Sequence, residues 1–124
     1  MELTREQLLA MHRSMVRIRL FEETAGKLME TGKMPGFLHL YVGQEAVAVG
    51  VCEALRVDDY ITSTHRGHGH LVAKGGDLAR MMAELMGKAT GYCGGNENDQ
   101  QCQIRTPPCP SQAEDRTDPA LAHR

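Results

Sequence analysis

Residues 62–70 read TSTHRGHGH, which sets His65, Arg66, His68 and His70 around Gly67 and Gly69. These residue types can do two kinds of chemistry. Three histidines and a water complete an open catalytic zinc site. An arginine beside glycine-rich backbone at a helix start binds phosphate through its planar fork and the nearby N–H groups. Spacing weighs against zinc, because His68 and His70 converge only on extended chain, whereas His65 and His68 converge only on a helix. The nearest following carboxylate is Asp77. The plainest alternative is a helix-start turn with a solvated arginine. His39, between Leu38 and Leu40, poses the same choice between a hydrogen-bonded core group and a ligand contact.

The elements that must position these groups follow from periodicity. Thr4 and Gln7 form a capping box. Leu8, Met11, Met15, Ile18, Ala25 and Met29 then recur at spacings of three and four, which predicts a long first helix fading near Gly32. Glu22 falls in that apolar seam, so it is exposed, paired, or at a partner interface. FLHLYV, if extended, puts Phe37, His39 and Tyr41 on one side and Leu38, Leu40 and Val42 on the other. A second helix starts near Gly43-Gln44-Glu45; its body, AVAVGVCEAL, is apolar nearly all round and predicts burial. YITST reads as a short strand and HLVAKGG as a short helix. Asp77 caps a last helix with Leu78, Met81, Met82 and Leu85 on one face.

Composition excludes several classes. A net charge of −2 gives no drive toward nucleic acid or anionic membrane, and no apolar run reaches bilayer-spanning length. MELTREQ has no signal-peptide blocks, which makes the cytoplasm the expected compartment. Cys52, Cys93, Cys102 and Cys109 match no common zinc spacing and are expected to be free thiols. Beyond residue 95 the chain turns polar and proline-rich, so 96–124 is expected to be a disordered tail to a 1–95 domain.

GFLHLYVGQEAVAVGV (36–51), DDYITSTHRGHGHLVAKG (58–75) and MAELMGKATGYCGG (82–95) together resemble the α subunit of thiamine-diphosphate-dependent 2-oxo acid dehydrogenases, the decarboxylating component of the pyruvate and acetoin complexes. Histidine before Arg66 is more similar to the acetoin branch. The resemblance implies an α/β thiamine-diphosphate-binding fold, of which this N-terminal portion is mostly helical with one or two short strands. It implies that His39, His65 and Arg66 bind the cofactor, with His65 the one candidate for a catalytic part, no protein metal ligand here, and His68 structural or channel-lining. It further implies a β subunit and a lipoyl-bearing acyltransferase as partners, in an oxidoreductase acting on an oxo group with a lipoyl disulfide as acceptor.

The sequence also departs from that pattern. The G-D-G segment that holds Mg²⁺ in the family does not occur, and Gly95 is followed by NENDQQ. The chain therefore reads as a truncated α subunit with an unrelated tail, from a frameshift, premature stop or gene disruption. Arg66 and His39 offer two charge-assisted contacts of about 1.5–3 kcal/mol each, short of the roughly 8 kcal/mol that micromolar binding needs. Turnover by this chain alone is not expected. Two rival readings are a non-catalytic helical domain that pairs with a partner subunit, and a zinc hydrolase built on the histidine cluster.

Overall fold

The computed structural model describes residues 3–56 and 58–95, so the expectations for 96–124 lie outside the described residues. Four helices follow one another: α1 (Arg5–Glu30), α2 (Glu45–Glu53), α3 (His68–Ala73) and α4 (Leu78–Leu85). The long helix begins as the sequence predicts. Thr4 Oγ1 accepts from the Gln7 amide at 3.2 Å while the Thr4 amide donates to Gln7 Oε1 at 2.8 Å. The two bonds satisfy two of the orphan groups at that end. Gly32, at φ 70°, takes the left-handed conformation that ends it.

Ile18, Phe21, Tyr41, Ala48, Val49, Val72 and Met81 form the core, with Met11, Met15 and Leu71 among the side chains packed against it. The α1 seam is buried only from Ile18 onward, and Leu8 remains 52% exposed. Asp77 caps α4 by accepting from the Arg80 amide at 2.8 Å. Glu84 Oε2 then gathers the amides of Cys93 and Gly95 at 2.7 and 3.0 Å, folding the chain back over that helix.

Four expectations are corrected. YITST forms no strand: among the described residues only Ile61 holds an isolated bridge position, because a strand needs a paired neighbour to satisfy its backbone. The described part is thus helical. FLHLYV does not alternate as a strand would; Tyr41 is 2% exposed while Phe37, on the same predicted side, is 89% exposed. Helix α2 is not buried all round. Its Ala48, Val49 and Cys52 are covered, but Val47 and Val51 are 60% and 51% exposed, since α1 and α3 cover one face only. Cys52 is free, but Cys93 is disulfide-bonded, which overturns the expectation of free thiols throughout.

Candidate functional site

The segments 39–41 and 63–70 lie side by side, and their residues interlock. Arg66 Nη1 donates to the Leu40 carbonyl. The rings of His39 and His65 meet edge to face, with centroids 5.2 Å apart. Tyr41 closes the other end: its hydroxyl lies 3.3 Å from His70 Nε2 and its ring packs against Gly69, where any Cβ would run into it. Glycine at 69 is therefore a packing requirement, because only a bare Cα lets the phenol ring approach.

Where α3 starts decides which way each basic group faces. His65 and Arg66 precede the helix, and His65 and His39 are exposed while Arg66 is half-buried. His68 and His70 fall on α3 and turn inward. His68 Nδ1 lies 3.1 Å from Glu22 Oε1 on α1, with the ring edge-on to Phe21. His70 Nδ1 lies 2.9 Å from Ser63 Oγ, and burial holds the His70 imidazole below its usual value, favouring the neutral ring. Burial likewise pushes the Tyr41 hydroxyl up, helped by Cys52 and Glu45.

The structure thus groups His39, His65 and Arg66 on one patch, the imidazoles exposed and the guanidinium half-buried. Among the described residues no carboxylate pairs with Arg66. The neighbouring acids are engaged elsewhere: Glu22 with His68, Glu45 with Arg19 at 2.6 Å, and Asp59 with Arg56. The Arg19 hydrogen bond holds Glu45 down at about 2, aided by the Gly43 amide. An uncompensated guanidinium with spare N–H donors, beside two exposed imidazoles, is a donor set that suits a diphosphate. Helix α3 spans six residues, so its dipole contributes little beside the side chains. For the zinc alternative, no three His, Cys, Asp or Glu side chains come together as a ligand set among the described residues.

Sequence reasoning missed Ser63 and Tyr41 as partners of His70, and no spacing rule links positions seven and twenty-nine residues apart. Glu22 did carry a signal, as an acid in an apolar seam.

Comparison with known proteins completes the picture. Over 95 residues the chain is 58% identical to the α subunit of acetoin:2,6-dichlorophenolindophenol oxidoreductase from Bacillus subtilis (strain 168), covering 77% of this chain and 28% of that protein. It is 49% identical over 92 residues to the pyruvate dehydrogenase E1 component subunit alpha of Zymomonas mobilis, covering 73% of this chain and 26% of that one. Identity to the chloroplastic pyruvate dehydrogenase E1 component subunit alpha-3 of Oryza sativa is 47% over 92 residues, which is 74% of this chain and 22% of the rice protein. The chain therefore spans about a quarter of the length of these relatives. Residues 13–123 match the dehydrogenase E1 component family, to which this chain belongs.

Proposed function

We propose that these residues serve as the diphosphate-contacting part of the α subunit of a thiamine-diphosphate-dependent 2-oxo acid dehydrogenase, acting on acetoin or pyruvate. The observation that carries this is the convergence of Arg66, His39 and His65 on one open patch without a pairing carboxylate. Family membership and the names of the relatives agree with it. When bound, thiamine diphosphate supplies the carbon nucleophile that cleaves the bond beside a carbonyl. The chain's own part is to bind and orient. Arg66 offers a bidentate fork to phosphoryl oxygens, steadied from behind by the Leu40 carbonyl. His39 and His65, held edge to face, add imidazole N–H donors and restrict each other's rotation. His65 is also the one candidate here for a catalytic part.

The side-chain contacts that these residues themselves offer are those of Arg66 and His39. Summed at roughly 3–6 kcal/mol, they place thiamine diphosphate binding between tens of micromolar and several millimolar. Function as a dehydrogenase further requires a β subunit and a lipoyl-bearing acyltransferase. The exposed Leu20 on α1 and the exposed Val47 and Val51 on α2 support docking of such a protein surface. Among the described residues no helix is long and apolar enough to cross a membrane.

Titrating thiamine diphosphate and unphosphorylated thiamine into the chain, followed by NMR, tests the proposal. The diphosphate should perturb Arg66, and Arg66→Ala should weaken its binding by about 1.5–3 kcal/mol, roughly ten- to a hundred-fold. Arg66→Lys should recover only part, since it keeps the charge and loses the fork. Equal binding of thiamine and its diphosphate would refute the assignment.

A further inference from the structure

Glu22 is fully buried, and its two oxygens are treated differently. Oε1 faces His68 Nδ1 at 3.1 Å, whereas Oε2 has no hydrogen-bond partner among the described residues. A carboxylate so placed is costly, and a leucine or methionine in that seam would be as well packed without the desolvation. With Oε2 unserved, the hydrogen-bond demand of the group falls on His68. With Glu22 as a carboxylate, an imidazole lone pair at 3.1 Å from its oxygen would be repulsive, so in that state the proton lies on Nδ1. His68 keeps 24% of its side-chain surface exposed and is the first residue of α3, two beyond Arg66.

We infer that Glu22 is a positioning residue for the Arg66 loop: its carboxylate fixes His68 as the Nδ1–H tautomer and so pins the start of α3 to α1. The anchor explains why a buried acid sits where periodicity asks for an apolar group. It converts one hydrogen bond between α1 and α3 into a fixed origin for the loop that carries His65 and Arg66. The part concerning anion affinity rests on the diphosphate reading above, while the tautomer does not.

The test uses the full chain with ¹⁵N-labelled histidine, at a pH about two units above the ordinary histidine value. His68 should show a protonated Nδ1 and an unprotonated Nε2. Protonation on Nε2 instead overturns the inference. With inorganic pyrophosphate as probe, Glu22→Leu should weaken binding roughly three- to ten-fold, the size of one hydrogen bond. Glu22→Gln, which keeps the shape and an acceptor, should restore affinity to within about two-fold of the original. In a His68→Ala background, Glu22→Leu should have no further effect, because its influence runs through the ring. Equal weakening with and without His68 would show Glu22 to be a packing residue only. If pyrophosphate leaves Arg66 unperturbed in the unaltered chain, the diphosphate reading fails, and the tautomer alone decides the anchor.

Discussion

Two pairs of basic residues within positions 65–70 behave in opposite ways. His65 and Arg66 stand before α3 on an open patch with His39, held by a ring contact and a backbone carbonyl. His68 and His70 stand on α3 and are consumed by Glu22, Ser63 and Tyr41. The same side-chain type is exposed on one side of the helix start and packed inward on the other. Backbone direction sorts them, since a loop can present neighbours to solvent while a packed helix must turn one face to the core.

The structural pair can be broken hardest at Tyr41. Tyr41→Ala removes a buried ring from the core together with the partner of His70, and should cost about 3–5 kcal/mol, read from urea denaturation. Gly69→Ala drives a methyl into that ring and should cost about 1–3 kcal/mol; combining the two should be less than additive, because the clash vanishes with the ring. His70→Ala strands the Ser63 and Tyr41 hydroxyls and should cost about 1–2 kcal/mol while leaving pyrophosphate affinity almost unchanged.

A second effect is set by pH. Glu45 titrates at about 2 because Arg19 and the Gly43 amide stabilise its charge. Its folded value is depressed, so its stabilisation is complete above the ordinary carboxylate range and is lost as pH falls from about 4.5 toward 2. Half-exposed Arg19 screens the pair, so the loss should be about 1–2 kcal/mol. Thermal melts across that window should show a slope that Glu45→Gln flattens. The smallest effect belongs to the uncovered face of α2: Val47→Gln should shift stability by less than about 0.5 kcal/mol, since the side chain is already 60% exposed.

Local signals were legible in the sequence where the interaction spans one turn. The Thr4–Gln7 box, the Asp77 cap and the α1 seam are each decided by neighbours three or four residues apart, so spacing reveals them. The trio His39, His65 and Arg66 came from residue type and from family resemblance, and the structure brings these residues into one place. What stayed hidden depends on distant partners. No periodicity reports that Tyr41 meets His70, or that Glu22 in its seam faces His68. The strand expected at YITST and the burial expected of α2 both presumed neighbours that the described residues do not supply, because a strand and an all-apolar helix take their environment from other elements.

The sorting of the basic residues is measured most directly by titrating thiamine diphosphate into the chain labelled at histidine and arginine nitrogens. The account predicts that His39, His65 and Arg66 shift together along one binding curve, while His70, tied to Ser63 and Tyr41, stays still. A shift centred on His68 and His70 with Arg66 unmoved, or stoichiometric zinc that His68→Ala removes, would contradict it.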